Sequence, residues 1–180
     1  MRGRVWLGAV AFIALAGCER KAGEAPAPAH GRVPAMVAPA RRPGLWEQRV
    51  SNGDTLQVGR ICLDPEVDRK LSWWGVQATA DICARNLVTH RPDGRWQFSS
   101  VCDLGSGGTV TTSGIVSGDF TAHYQFRGQS STVAAAVPHM NGVRPLTVDA
   151  AWLGPCPADM KPGDLSLPGG QKMNMLVLHV

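Results

Sequence analysis

The sequence predicts an all-β domain, a meander of about eight antiparallel strands with one short helix. Three observations carry this. Short runs alternate apolar and polar residues with period two. Turn residues (Asn-Gly, Pro-Asp-Gly, Gly-Asp) close those runs. Only one segment, after Asp64-Pro65-Glu66, has the signals of a helix start. One apolar face per strand needs cover. A meander of this length finds it by curling into a barrel or half-barrel with the helix near its mouth, and a two-sheet β-sandwich is the alternative closure.

The first two runs, 45–50 and 55–62, flank Ser51-Asn52-Gly53-Asp54. Asn52-Gly53 suits the centre of a type I′ hairpin turn, and that centre sets Trp46 opposite Gly59, an aromatic over bare backbone. Asp64 is placed to N-cap a helix with Pro65 at its first position and Glu66 in its first turn. Val67, Leu71 and Trp74 follow at helical spacing and face the sheet; Gly75 ends the helix. Runs 82–90 and 95–102 surround Arg91-Pro92-Asp93-Gly94, a type I turn sequence. A four-residue loop there pairs His90 with Arg95, Leu87 with Phe98 and Cys83 with Cys102. Run 109–116 turns at Gly118-Asp119 into a strand with Phe120, Ala122, Tyr124 and Phe126 on one face and Thr121, His123, Gln125 and Arg127 on the other. The last runs are 132–137 and 144–153, the latter with Leu146, Val148, Ala150 and Trp152 pointing one way. Beyond residue 156, Lys161-Pro162-Gly163-Asp164 and Leu167-Pro168-Gly169-Gly170 break the pattern. This tail reads as poorly ordered, although 173–178 is apolar enough to dock.

The chain start reads as an export signal: Arg2 and Arg4, then an uncharged run too short to span a bilayer comfortably. It ends in Leu15-Ala16-Gly17-Cys18, which resembles the lipobox of bacterial lipoproteins. Small residues admit the backbone to a signal peptidase, and the Cys18 thiolate accepts the lipid. The expected organisation is a signal peptide at 1–17, a lipidated Cys18 with a disordered Ala/Pro tether at 18–42, a β domain at 43–156 and a Pro/Gly-rich tail at 157–180. More than one acyl chain makes such anchoring stable, at about 0.8 kcal/mol per buried CH₂. Glu19, rather than Asp, follows the cysteine; by the sorting rule of enterobacterial-type lipoproteins this implies the outer membrane, facing the periplasm. The tether lacks apolar periodicity and cannot offset its ordering entropy. In polyproline II form it reaches up to roughly 70 Å. Arg41-Arg42 at its end reads as solvated.

The formal charge is +4, from 18 basic and 14 acidic residues, and Arg2 and Arg4 leave with the signal. A near-neutral mature chain has no electrostatic footprint for nucleic acid.

With Cys18 assigned to lipid, Cys62, Cys83, Cys102 and Cys156 remain. An even number in an exported chain argues for disulfides, and no C-x-x-C pair supports zinc. Four cysteines allow three pairings. The hairpin register favours Cys83 with Cys102, which leaves Cys62 with Cys156, both structural.

Pro43-Gly44-Leu45-Trp46-Glu47, Ile61-Cys62-Leu63-Asp64-Pro65, the two cysteines around the second hairpin and Leu153-Gly154-Pro155-Cys156 occur in an order and spacing similar to the domain-of-unknown-function 3617 family (DUF3617). The resemblance runs from about Pro43 to Asp164. It implies a small exported or lipidated protein of Gram-negative bacteria with no assigned activity. The first hairpin loop is tight here, where relatives often carry a longer Met- and Gly-rich insertion.

Nothing in the sequence supports catalysis. The five histidines are dispersed, without an i, i+4 pair or an H-E-x-x-H pattern, and His123 lies on a polar strand face. Ser106-Gly107-Gly108-Thr109 lacks a nucleophile elbow, and Gly105–Gly108 lacks a phosphate-binding lysine. No metal or cofactor is expected. Trp73-Trp74 stands apart: adjacent residues on a helix diverge by about 100°, so an inward Trp74 leaves Trp73 exposed or at a cavity edge. That indole suggests a binding surface. Two function classes follow: a non-enzymatic binding module for a hydrophobic small molecule or acyl chain, and a structural or interaction lipoprotein that docks on another envelope protein.

Overall fold

Alternating side chains build nine antiparallel strands into one sheet. A computed structural model describes residues 38–177; the expected signal peptide, Cys18, the expected tether up to residue 37 and residues 178–180 lie outside the described residues. The strands are β1 (Gly44–Asn52), β2 (Thr55–Leu63), β3 (Cys83–His90), β4 (Trp96–Asp103), β5 (Thr109–Gly118), β6 (His123–Val133), β7 (Gly142–Gly154), β8 (Asp164–Ser166) and β9 (Lys172–Asn174), and the helix is α1 (Pro65–Lys70). Their order in the sheet is β3-β4-β5-β6-β7-β1-β2-β8-β9. The sheet is open, with β3 and β9 as its edges, so the expected barrel does not close. Among the described residues, no helix is long and apolar enough to cross a membrane.

One face of the sheet carries the core. Trp46, Ile61, Phe98, Val116, Tyr124, Phe126 and Val148 are buried there, and Val67, Leu71 and Trp73 from α1 and the following turn cover them. Phe126 lies over a bare patch where Gly114 pairs with Gly128. A Cβ on either glycine would come within 2.7–2.8 Å of the Phe126 ring, so the aromatic fits only because both side chains are absent.

Three departures from the expected strands have local causes. The first hairpin is centred on Gly53-Asp54, not Asn52-Gly53: Asn52 pairs with Thr55, and of the two central residues only Gly53 has positive φ. That is the type II′ pattern. The register moves by two, so every side chain keeps its face, but Trp46 stands opposite Ile61, and Gln48 stands opposite Gly59. The space over Gly59 is taken by Leu165 of β8.

In the second hairpin Arg91, not His90, closes the loop, donating to the Arg95 carbonyl at 2.8 Å. Pro92-Asp93-Gly94 is a three-residue loop, with Gly94 at φ 79° taking the left-handed place that ends a type I turn. The pairing is therefore offset by one residue: His90 faces Trp96 and Val88 faces Phe98, while Leu87 turns outward. A bulge between Cys83 and Arg85 restores the expected Cys83–Cys102 pairing.

The expected strand at 132–137 does not form. β6 runs on through Val133, and Ala134, at φ 59°, starts a loop held by Asn141, which accepts from the Ala135 N–H and donates to its carbonyl. The tail, expected to be poorly ordered, instead adds β8 and β9. Leu167-Pro168-Gly169-Gly170 is their turn, with Leu167 and Gln171 bonded across it. Met175 and Leu176 pack against the core, as the apolar run 173–178 suggested.

Helix α1 starts as expected. The Asp64 carboxylate accepts from the N–H groups of Glu66 (2.9 Å) and Val67 (2.7 Å). It ends earlier than expected, with Leu71 already extended. Arg41 explains the stop. Its guanidinium donates to the carbonyls of Leu71 and Ser72, each at 3.2 Å, satisfying backbone groups that the helix end exposes. Far from being solvated, Arg41 is buried and paired with Asp68 at 2.5 Å. Burial works against its charge, but Tyr124 and Asp68 outweigh that and raise its pKa. Arg42 lies over the Trp152 ring at 3.7 Å and donates its N–H to the Phe120 carbonyl. The ordered domain therefore includes both arginines.

Candidate ligand cavity

The turn after α1 decides the fate of the tryptophan pair. Trp73 and Trp74 are not helical; they are the central residues of a tight turn in which Ser72 bonds Val76 and Gly75, at φ 85°, bonds back to Ser72. Side chains diverge there as they would on a helix, but in the opposite sense from that expected. Trp73 is buried, edge-on to Phe98 with ring centroids 5.4 Å apart, and its carbonyl accepts from Gln48 (3.0 Å) and the Tyr124 hydroxyl (2.7 Å). Tyr124 also accepts from Arg41 and Gln48. This satisfied polar knot fixes the turn on the sheet. Trp74, half-buried, packs between Phe98 and Phe126, each with centroids 5.3 Å away, and leaves its outer side to a cavity.

The cavity, about 650 Å³, occupies the core face of the sheet beyond the packed aromatics. That volume is within the range of small-molecule sites, about 300–1,000 Å³. The register shows how its wall is graded. The row nearest the core contains Phe98, Gly114, Gly128 and Leu146 in successive pairing. The next row along the strands pairs Ser100 with Thr112, Thr112 with Ser130 and Ser130 with Arg144. Beyond it stand Cys102, Val110 and Thr132. Trp74, Val50 and Leu146 form the apolar end of the cavity; Arg144, His139 and Met140 stand at the other. Arg144 donates to the His139 carbonyl at 2.6 Å, which ties the 138–140 turn to the end of β7.

The opposite face of the sheet is solvated and charged. Glu47, Arg49, Arg60, Arg127 and Asp149 form ion pairs there at 3.3–3.7 Å. His123, expected on a polar face, is on this side and 3.4 Å from Asp119. Asp119 organises its turn by accepting from the N–H groups of Ala122, Thr121 and His123, and these bonds hold its carboxyl far below the ordinary range. Among the described residues, no three His, Cys, Asp or Glu side chains are grouped to hold a metal ion.

Both disulfides join the expected partners, Cys62 with Cys156 and Cys83 with Cys102. The first ties β2 to the chain just after β7, and the second staples the edge hairpin, with Cys102 reaching the cavity wall. Of the predicted site residues, Trp74 lines the cavity and Trp73 does not; Cys18 lies outside the described residues. Sequence reading missed Ser100, Thr112, Ser130 and Arg144. The available signal was a hydroxyl on the core-facing phase of three strands, two residues from Phe98, Gly114 and Gly128.

The profile of the family described as "Protein of unknown function (DUF3617)" matches residues 41–156. The chain belongs to this family. The DUF3617 match opens on the buried Arg41 and closes on the disulfide cysteine Cys156, so its limits coincide with two contacts that hold the sheet together. No curated protein and no solved structure shows a significant match to the chain.

Proposed function

We propose that this chain is a lipid-anchored envelope protein whose β domain, working as a half-barrel, is a non-enzymatic module for binding a hydrophobic small molecule or acyl chain. The observation that carries the reading is the cavity of about 650 Å³ on the core face, whose inner end is Trp74, Val50 and Leu146. A concave space of this size that borders an aromatic core is suited to a guest. The lipobox-like Leu15-Ala16-Gly17-Cys18 supplies the anchor, and Glu19 favours the outer membrane with the domain in the periplasm.

Native mass spectrometry of the protein purified from its own membrane tests the module. A bound species of constant mass in two unrelated detergents is expected; bare protein in both would remove the proposal. Palmitate labelling tests the anchor, since Cys18→Ala must abolish it, and label retained by that variant would refute lipidation at this cysteine.

A further inference from the structure

We propose that the guest is an anionic amphiphile, its charge held by Arg144, its neutral polar groups by the hydroxyls of Ser130, Thr112 and Ser100, and its apolar part against Trp74, Val50 and Leu146. This rests on the binding-module reading and names the chemistry of the ligand.

The first argument is direction. Polarity rises along the strands from the Leu146 row to the Arg144 row, and the row beyond, Cys102, Val110 and Thr132, is again mostly apolar. A guest that spans the first two rows has an apolar part beside a polar one. The second argument is charge. Arg144 and His139 are the ionisable side chains on the described wall, and no carboxylate lines it. Arg144 uses one donor on the His139 carbonyl, and among the described residues no Asp or Glu pairs with it. A guanidinium at the mouth with donors to spare selects a carboxylate or a phosphate.

The third argument is the hydroxyl row. Ser100 and Thr112 are each only 2% exposed, and both line the cavity. Each hydroxyl can both donate and accept, so the row offers hydrogen bonds to a neutral polar group of the guest. Strands are about 4.8 Å apart, so the row from Arg144 to Ser100 spans about 14 Å. That is wider than a single carboxylate, and it suits a head that carries ester or hydroxyl oxygens beside its charge.

Binding of four single-chain C12 ligands to the full protein, read by Trp fluorescence and calorimetry, tests this. The ligands are lauroyl lysophosphatidic acid, laurate, monolaurin and dodecyltrimethylammonium. The two anions are expected to bind at least about tenfold more tightly than monolaurin, and the cation most weakly. A preference for the lysophosphatidic acid over laurate assigns the head to a glycerophosphate, and the reverse order assigns it to a carboxylate. Arg144→Gln is expected to erase the preference for anions over monolaurin. Arg144→Lys keeps it, and raising salt from about 0.01 M to about 1 M shrinks it in the unaltered protein. Equal binding of monolaurin and the anions, or an undiminished preference in Arg144→Gln, overturns the proposal and leaves the binding module standing. If none of the four ligands binds, both readings fall.

Discussion

Removing the charge of Asp68 is the most direct probe of how this domain begins. Arg41 is buried between α1 and the sheet, and its side chain is 1% exposed against 10% for Asp68. Asp68→Asn keeps shape and leaves an amide to accept, but strands a guanidinium whose Coulombic partner is gone. Breaking a buried pair by removing one partner costs about 3–5 kcal/mol. Because Asp68 retains slight solvent access and Arg41 keeps its bonds to Leu71, Ser72 and Tyr124, the lower end applies, about 3 kcal/mol. A domain of this size loses about 3 °C of Tm per kcal/mol, giving a fall of roughly 10 °C. Thermal unfolding followed by circular dichroism, with both disulfides intact, reads this directly. The double variant Arg41→Met/Asp68→Leu removes the stranded charge and is expected to recover part of the loss, though not all of it, since the Leu71 and Ser72 carbonyls lose their donor. A fall of less than about 2 °C in Asp68→Asn would refute the assignment of Arg41 as the buried clamp of α1.

The tryptophans separate stability from binding: Trp73→Ala is expected to destabilise by about 3–5 kcal/mol in urea titrations, while Trp74→Ala lowers amphiphile affinity with a smaller stability loss. Equal losses in both measurements would contradict the placement of Trp74 at the cavity. The disulfides close loops of different length, with sequence separations of 94 and 19. In the loop-entropy account, replacing Cys62 and Cys156 by Ser costs about 4.7 kcal/mol and replacing Cys83 and Cys102 about 3 kcal/mol, an order that denaturant midpoints can check or reverse. For Asp119 the folded pKa is depressed, so its contribution to stability is complete above the ordinary carboxylate range near pH 4 and is lost only as pH falls below that range. Its carboxyl ¹³C shift should stay flat through pH 3, and an ordinary titration near pH 4 would contradict the three N–H bonds drawn to it.

Much of this architecture was legible because it depends on period and on local caps. The faces of β1, β6 and β7 follow from alternation alone, and the Asp64 cap needs only three residues. The Cys83–Cys102 pair was reached through a register that is itself offset by one over most of the hairpin. The bulge beside Cys83 compensates for the three-residue loop at Pro92-Asp93-Gly94. Loop length, fixed by whether Gly94 adopts a left-handed conformation, is not written in the composition of the turn. Arg41 was illegible for a different reason. Its burial is created by partners 27 to 83 residues away, and nothing in Ala-Arg-Arg-Pro distinguishes it from a solvated linker. The tail hairpin escaped notice because strands of three residues show no period, and the same Pro-Gly-Gly that breaks a long strand makes a short turn. The cavity wall lay between these cases: the phase of Ser100, Thr112 and Ser130 was readable, but their assembly into one row depends on pairings across four strands.

The entry of the chain beside Phe120 and Trp152 has a mechanical consequence. A pull applied through Arg42 reaches β1 at its first residues and runs along it. β1 is bonded along its length to β2 on one side and β7 on the other, so the load falls on two ladders in shear, with their bonds perpendicular to the force, and no strand is peeled singly. The Cys62–Cys156 bridge closes the same end of the sheet. The space between Trp74 and Arg144 lies toward the other ends of these strands, so the guest proposed for it would enter and leave away from the path of such a force.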